Sequence, residues 1–349
     1  MNVRRLIPST ALAGAVALGL VSLTACGGTS DAADKGSDGK LDVVASFYPM
    51  QFLAERIGGG HVSVQSLTKP GVEPHDLELK PRQIGELSDA DVVLFLKGVQ
   101  PAVDEAIAQA GVKHSVDAAS LTKLEDHGTS VGHDHGGEHE GESAGHEGES
   151  AEEHAEHEGG KEGHADEHGD GHGSEAGGDP HIWLDPVKYA EVAQGVGAVL
   201  KKADPDNAAD YQKNTDALVK QLGELDTAFA QGLKNTTTKT FITTHSAFGY
   251  LAERYHLDQE GIKGLDPESE PSPARIKELQ DKARKEKATT VFFETLASDR
   301  TAKTLAKDTG LKTDVLDPLE GITDRSKGDD YFEVMQANLA ALKTALGAK

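Results

Sequence analysis

The chain contains a single cysteine, Cys26, among its 349 residues, so no disulfide can form within it. It also has few basic residues: 35 Lys and Arg stand against 59 Asp and Glu, which gives a net charge of −24. Because the neutralisation of phosphates requires clustered Lys and Arg, this balance argues against a nucleic-acid partner. The excess of negative charge suits a cationic ligand, although charge alone does not establish one.

The longest uncharged apolar run near the N-terminus, residues 11–23, is too short to span a bilayer comfortably. This run follows Arg4 and Arg5, which is the arrangement of a secretory signal peptide. It ends in Leu-Thr-Ala before Cys26 and resembles the bacterial lipobox, in which cleavage precedes a cysteine that carries a diacylglycerol. We expect a lipoprotein signal peptide at 1–25 and a lipid anchor on Cys26 at the extracytoplasmic face of the bacterial cell membrane. The alternative is a plain cleavage site followed by an incidental cysteine.

Two segments have almost nothing to bury. Residues 26–40 are rich in Asp, Gly and Ser and are expected to form a flexible tether. Residues 127–172, the His-rich tract, contain no Leu, Ile, Phe, Tyr or Trp, so a disordered insertion is expected at 125–178. The tract carries fourteen carboxylates, one lysine and ten of the sixteen histidines, namely His127, His133, His135, His139, His146, His154, His157, His164, His168 and His172.

The density of histidine and carboxylate in the His-rich tract is typical of low-complexity metal-binding segments. Imidazole suits zinc, copper and nickel better than manganese or magnesium, so the tract favours zinc. Since a flexible segment does not fix a coordination geometry, we expect only auxiliary, weak and reversible binding there. The tract contains no His-Glu-x-x-His, the motif of a metalloprotease. The alternative is that the tract is a solvated acidic spacer.

Outside the tract, apolar strand patterns alternate with amphipathic helix patterns, which indicates parallel α/β units. In the first half, strands are predicted at 41–47, 61–67, 91–96 and 113–117, and helices at 50–57, 81–88, 101–110 and 186–202. In the second half, strands are predicted at 239–243, 290–293 and 313–316, and helices at 246–256, 272–287, 298–309 and 330–345. We therefore predict an α/β fold with two lobes, residues 41–203 and 235–349, each with a mainly parallel sheet.

One long rigid helix is predicted to join the lobes at 204–234. It begins at Asp204 and Pro205, a capping residue followed by proline at the first helical position, and would span roughly 43 Å. A coiled-coil segment is the alternative, but no heptad repeat is sustained. A ligand site is expected in the cleft between the lobes, at the carboxyl ends of the strands.

Three histidines outside the tract lie in loops beside predicted strands or helices: His75, His181 and His245. A fourth loop, after the strand predicted at 313–316, carries Asp317 and Glu320. Two of these loops belong to each lobe, so all four can meet in one cleft. Three neutral imidazoles and one carboxylate complete a tetrahedral zinc shell and leave no position for water. Such a site would bind metal without hydrolysis, which argues against an enzyme.

Five segments taken together resemble the zinc- and manganese-specific solute-binding lipoproteins of ABC importers, the ZnuA and AdcA type. The resemblance covers residues 41–349, with the His-rich insertion where zinc-specific members carry theirs. The segments that carry it are Phe47-Tyr48-Pro49, Glu73-Pro74-His75-Asp76, Asp179-Pro180-His181-Ile182-Trp183-Leu184-Asp185-Pro186, Thr244-His245-Ser246-Ala247-Phe248-Gly249-Tyr250-Leu251 and Asp317-Pro318-Leu319-Glu320.

The resemblance implies that His75, His181 and His245 are ligands of the transported metal. It implies Glu320 as the fourth ligand, with Asp317 as the alternative because manganese-type members place an aspartate there. It further implies a monomeric receptor that delivers zinc to an ABC permease and its ATPase subunit. The alternatives are a manganese-preferring receptor of the same type and an extracellular zinc buffer without a transporter partner.

Overall fold

The computed structural model describes residues 39–110, 112, 114–127 and 178–349. The N-terminal lobe contains a four-stranded sheet of order β2-β1-β3-β4, in which each pair of neighbouring strands is parallel. The two inner strands are almost wholly buried, because a parallel sheet is covered by helices on both faces. The elements are β1 (Leu41–Ala45), α1 (Tyr48–Gly58), β2 (Val62–Ser66), α2 (Pro81–Asp89), β3 (Val92–Phe95), α3 (Pro101–Ala110) and β4 (Ser115–Asp117).

The C-terminal lobe repeats this arrangement with a parallel sheet of order β6-β5-β7-β8. Both sheets therefore place the loops that follow their strands at one edge. The elements are β5 (Thr240–Thr243), α6 (Gly249–Arg254), β6 (Asp258–Gly261), α7 (Pro273–Lys285), β7 (Thr290–Phe293), α8 (Arg300–Thr309), β8 (Lys312–Val315) and α9 (Tyr331–Leu346). The predicted two-lobe α/β fold is confirmed.

Two helices lie between the sheets in sequence: α4 (Pro186–Ala203) and the long connector α5 (Ala208–Gly232). They pack closely, since a Cβ added to Gly197 of α4 would collide with the Thr215 hydroxyl of α5. The connector buries an apolar stripe at helical spacing, formed by Tyr211, Leu218, Leu222, Leu225 and Phe229.

The connector, helix α6 and strand β6 differ from the sequence prediction. The connector begins as a 3₁₀ turn at Pro205–Asn207 and becomes α-helical only at Ala208. Helix α6 begins at Gly249 rather than at residue 246, because the preceding residues turn and the Ser246 amide donates to the carbonyl of Gly264. Strand β6 was not predicted, since its sequence Asp-Gln-Glu-Gly has no apolar alternation.

Three hydrogen bonds join α4 and the loop that precedes it to the C-terminal lobe and to α1. Trp183 Nε1 donates to the carbonyl of Pro318 at 2.7 Å, and the Tyr331 hydroxyl donates to the carbonyl of Trp183 at 2.7 Å. The Tyr189 hydroxyl donates to the carbonyl of Pro49 at 2.6 Å. These bonds fix the position of the loop that carries His181 relative to the loop that carries Glu320. Among the described residues, no helix is both long enough and apolar enough to cross a membrane.

Candidate metal centre

Four side chains from both lobes meet in the cleft: His75, His181, His245 and Glu320, here called the inner group. His75 lies in the loop after β2, and His181 lies just before α4. His245 follows β5 by two residues, and Glu320 lies between β8 and α9. The four residues that the sequence suggested as ligands are thus neighbours in space.

The distances within the inner group match those of a tetrahedral shell. Glu320 Oε1 lies 3.4 Å from His75 Nε2, 3.6 Å from His181 Nε2 and 3.3 Å from His245 Nε2. Ligands placed tetrahedrally at about 2.0–2.1 Å from zinc lie about 3.3–3.4 Å from one another. The three imidazole rings surround the carboxylate, with centroids 5.4–6.2 Å apart.

The inner group is almost completely shielded from water. The side chains of His181, His245 and Glu320 are 0% exposed, and that of His75 is 11% exposed. His181 Nε2, His245 Nε2 and Glu320 Oε2 have no hydrogen-bond partner among the described residues. Since buried polar atoms are normally satisfied, these atoms fit a site whose partner is a cation.

A carboxylate holds the opposite nitrogen of two of the imidazoles. Asp179 Oδ1 lies 2.7 Å from His181 Nδ1 and also accepts from the His181 amide at 2.9 Å. Glu294 Oε1 lies 2.7 Å from His245 Nδ1 and accepts from the His245 amide at 3.2 Å. A carboxylate accepts but does not donate, so each Nδ1 carries the proton and each Nε2 lone pair is directed at the centre of the group.

Of the carboxylates near the candidate ligands in sequence, only Asp179 takes this role. Asp185 caps α4 through the amides of Val187 and Lys188, and Asp76 is exposed. Sequence reasoning missed Glu294, although it directly follows β7 and so lies at the same edge of the sheet as His245. It also missed Glu73 as a carboxylate near the inner group. Burial and the charge of Glu320 raise the pKa of Glu73 to about 8.

The pKa values of the inner group reflect the close contact of opposite charges. Burial lowers the pKa of His245, but Glu294 and Glu320 raise it by more, so it lies well above its usual value. Burial also lowers the pKa of His181, and Asp179 outweighs that effect. Burial raises the pKa of Glu320, yet the surrounding imidazoles bring it well below its usual value. Protons are therefore expected to compete with a cation at the imidazoles rather than at Glu320.

Asp317, the alternative fourth ligand, lies beside the inner group but is engaged elsewhere. Its Oδ2 accepts from the hydroxyls of Thr295 at 3.0 Å and Ser326 at 2.8 Å, and its Oδ1 accepts from the Leu319 amide at 2.9 Å. That last bond helps to hold Leu319 at φ +59°, a left-handed conformation that costs a bulky residue about 1–3 kcal/mol. The resulting turn directs Glu320 into the cleft.

Of the ten histidines of the tract, the structure describes His127. Its Nδ1 lies 3.1 Å from Asp179 Oδ2 and its Nε2 lies 2.6 Å from Glu253 Oε2. The other nine tract histidines and Cys26 lie outside the described residues, as do the predicted signal peptide and residues 26–38.

A family model described as the periplasmic component A of a zinc-uptake complex matches residues 43–345. The chain belongs to this zinc-uptake family. The zinc-binding lipoprotein AdcA of Streptococcus pneumoniae is 34% identical over 335 residues, which cover 94% of this chain and 60% of AdcA. The high-affinity zinc uptake system protein ZnuA of Bacillus subtilis is 36% identical over 334 residues, which cover 94% of each chain.

A solved structure shares the fold of this zinc-uptake family member. The crystal structure of the Zn(II)-bound ZnuA-like domain of Streptococcus pneumoniae AdcA superposes with a TM-score of 0.65 and 31% identity, covering 88% of this chain and 99% of that domain. The chain spans about 60% of the length of the whole AdcA protein. The expected membership of the ZnuA and AdcA type is confirmed.

Proposed function

We propose that this protein captures zinc at the inner group and delivers it to an ABC importer. The observation that carries the proposal is the arrangement of three imidazole Nε2 atoms around Glu320 Oε1 at tetrahedral spacing in a buried cleft. Both lobes contribute ligands, so a bound ion would hold them together. The zinc-binding names of the relatives support the choice of cargo.

Zinc is favoured over manganese by the donor atoms. Three imidazoles and one carboxylate are the nitrogen-rich set that zinc takes in a tetrahedral site, whereas manganese favours oxygen donors and more ligands. Glu320 is proposed as the fourth ligand because Asp317 is held by Thr295, Ser326 and the Leu319 amide. A dication bound by one carboxylate leaves a net charge of about +1, which Asp179 and Glu294 offset from behind their imidazoles.

The same shell is unsuited to catalysis. A hydrolytic zinc ion keeps one coordination position for water, and the inner group offers four protein ligands. We infer that the protein binds and releases its metal without turnover, and that the buried cleft limits exchange with solvent.

We further propose how the rest of the chain serves transport. Residues 1–25 would be removed as a lipoprotein signal peptide, Cys26 would carry the lipid, and residues 26–40 would be the tether. Residues 41–203 and 235–349 would form the lobes, with 204–234 between them. The insertion at 125–178, with its His-rich tract, would collect zinc weakly near the cleft. In this arrangement a monomer at the extracytoplasmic face presents its cleft to the permease and its ATPase subunit.

Calorimetric titration of the full mature chain with zinc and with manganese tests the binding proposal. We expect one tight zinc ion, weaker zinc binding by the tract, and poor competition by manganese. His181→Ala removes a ligand and is expected to abolish the tight ion, while His61→Ala, on an exposed contact with Asp210, leaves it intact. Equal affinity for the two metals would contradict the zinc preference.

Delivery is tested by uptake of radioactive zinc in cells that lack the chain. We expect the wild-type protein to restore uptake and Glu320→Gln not to restore it. Deletion of residues 131–172 separates this proposal from an extracellular buffer. A transport receptor keeps its tight ion and most of its uptake at high zinc, whereas a buffer loses most of its zinc binding with the tract. Cys26→Ser is expected to release the protein from the membrane.

A further inference from the structure

Glu125, His127 and Glu253 form a second cluster of metal-binding side chains, here called the outer group. One nitrogen or oxygen atom from each residue lies within 4.8 Å of the others. The imidazole is largely buried at 12% exposure, whereas the side chains of Glu125 and Glu253 are 30% and 61% exposed. The cluster thus has one fixed imidazole and two carboxylates that water can reach.

The ring of His127 is oriented in the manner of a metal ligand. Its Nδ1 faces Asp179 Oδ2 at 3.1 Å, and its Nε2 faces outward towards Glu253 Oε2 at 2.6 Å. The Tyr250 ring packs against it edge-on, with centroids 4.3 Å apart. A carboxylate behind one nitrogen, with the other nitrogen directed at further ligands, is the usual arrangement of a metal-binding histidine.

Asp179 holds two histidines in this manner at once. Its Oδ1 contacts His181 of the inner group at 2.7 Å, and its Oδ2 contacts His127 of the outer group. Each histidine has its Nδ1 at Asp179 and its Nε2 beside a glutamate, which is Glu320 in one group and Glu253 in the other. The two groups are therefore built on one shared carboxylate.

The local backbone makes room for His127. A Cβ added to Gly249 would collide with the His127 Cβ and would lie 2.8 Å from Asp179 Oδ2. The segment that precedes the tract is also fixed, because the Asp179 amide donates to the Glu125 carbonyl and the Glu125 amide donates to the Tyr250 hydroxyl, both at 2.8 Å. The position of His127 thus depends on contacts outside the tract.

From this geometry we infer that Glu125, His127 and Glu253 form a second divalent-metal site at the base of the His-rich tract, next to the inner group. The choice of zinc as its occupant rests on the proposed function. One imidazole and two carboxylates are donors that zinc accepts, and water would complete the shell. The two carboxylates would neutralise the charge of the ion.

This site is expected to bind zinc more weakly than the inner group and to exchange it faster. It has fewer imidazoles and two water-exposed ligands, and Lys188 Nζ lies 3.2 Å from Glu125 Oε1. That ammonium repels a cation and occupies one oxygen of Glu125. A weak site between the tract and the cleft can pass on ions that the tract collects.

The test measures bound zinc per full chain by equilibrium dialysis across buffered free zinc concentrations. We expect His127→Asn and Glu253→Gln each to bind about one ion fewer than the wild type, and the double variant to lose no more than either. His146→Asn removes another tract histidine, and Glu224→Gln removes an exposed carboxylate that faces Lys220. Both controls are expected to lose less than half an ion.

The inference is overturned if Glu253→Gln behaves as Glu224→Gln does, or if His127→Asn behaves as His146→Asn does. In either case His127 is only paired with Glu253 as a protonated imidazole. Competition with a strong chelator counts the tight ion separately in every variant. If the wild type bound no tight ion, the proposed function would be refuted. The loss of one weak ion in Glu253→Gln could still be measured in that case.

Discussion

The inner and outer groups share Asp179 but differ in their contact with water. The side chains of the inner group are at most 11% exposed, whereas those of the outer group range from 12% to 61%. Burial strengthens the interaction between a cation and its ligands and excludes competing water. A buried shell also has a fixed geometry, which selects the metal, while an exposed one exchanges its ion readily.

The two groups also differ in composition, and the difference fits their positions. The inner group offers three imidazoles and one carboxylate, and the outer group offers one imidazole and two carboxylates. The most conspicuous histidines of the sequence lie in the tract, but the buried shell is built from three isolated ones. Local histidine density therefore predicts where metal would collect, and the convergence of loops from both lobes predicts where it would be held.

The largest effect is expected from Glu320→Gln. The substitution keeps the shape of the side chain but removes the charged ligand of the inner group. Tight zinc binding should therefore weaken by more than about 100-fold, which exceeds the effect of removing a carboxylate hydrogen-bonded to a ligand. Asp317→Asn is the matched control, because Asp317 is the other carboxylate of the same loop. Chelator competition gives both affinities. A greater loss in Asp317→Asn would contradict the choice of Glu320 as the fourth ligand.

A smaller effect is expected when a carboxylate behind an imidazole is neutralised. Asp179→Asn and Glu294→Gln should each weaken the tight ion by roughly 10–100-fold, since each removes the acceptor for one Nδ1–H. Only Asp179→Asn should also reduce the weak ion at the outer group, because only Asp179 contacts His127. The same zinc dialysis measures both. If both variants lost the weak ion equally, Asp179 would not be the link between the inner and outer groups.

Much of this arrangement could be predicted from the sequence. Strands such as β1 and β3 are short apolar runs, and parallel strands place their following loops at one edge, so the loops carrying His75, His245 and Glu320 could be expected to meet. The hydrogen-bonding role of Glu294 was available from the same rule, because this residue directly follows β7.

Other features depend on contacts that no local pattern records. Strand β6 has a polar sequence and is held at the sheet edge by backbone pairing with β5. Glu253 and His127 are 126 positions apart, so their contact follows from the tertiary fold. The start of α6 at Gly249 depends likewise on the turn that carries His245.

The pH dependence of the inner group should be moderate and should have a definite sign. The pKa values of His181 and His245 are raised by their carboxylates, although burial opposes this, so both rings bind a proton more readily than a free imidazole does. Zinc must displace these protons, so its affinity should fall as the pH falls. The expected decrease is roughly tenfold per pH unit for each proton released. Calorimetry of the first equivalent in two buffers of different ionisation enthalpy counts the protons. A count of zero would contradict the raised pKa values.

The stability of the metal-free protein should change with pH in the opposite direction. A raised pKa stabilises the folded state fully below the unfolded pKa of histidine, near 6.5, and this contribution is lost as the pH rises through the folded pKa. Thermal melts with and without zinc should therefore diverge as the pH rises above about 6.5. Melting curves that stay parallel across this range would contradict the proposed exchange of protons for metal.

The smallest effect on the inner group is expected from Gly249→Ala, which leaves every proposed ligand in place. The added methyl group meets both His127 and Asp179, so one of them must move. Asp179 accepts from both the ring and the amide of His181, whereas His127 is held by side-chain contacts. We therefore expect His127 to move and the weak ion to be lost. The zinc affinity of the inner group should change by less than about tenfold, which is below the effect of removing a carboxylate hydrogen-bonded to a ligand.

Gly223→Ala is the matched control for this substitution. It lies within α5, a Cβ added there meets nothing within 4 Å, and the change should stabilise the helix by about 0.5–1 kcal/mol. Zinc dialysis and thermal melts of both variants separate lost metal binding from a change in fold stability. If Gly249→Ala weakened the tight ion as much as Asp179→Asn does, Asp179 would be the residue that yields. The inner group would then depend on the outer one, and burial would not be what distinguishes them.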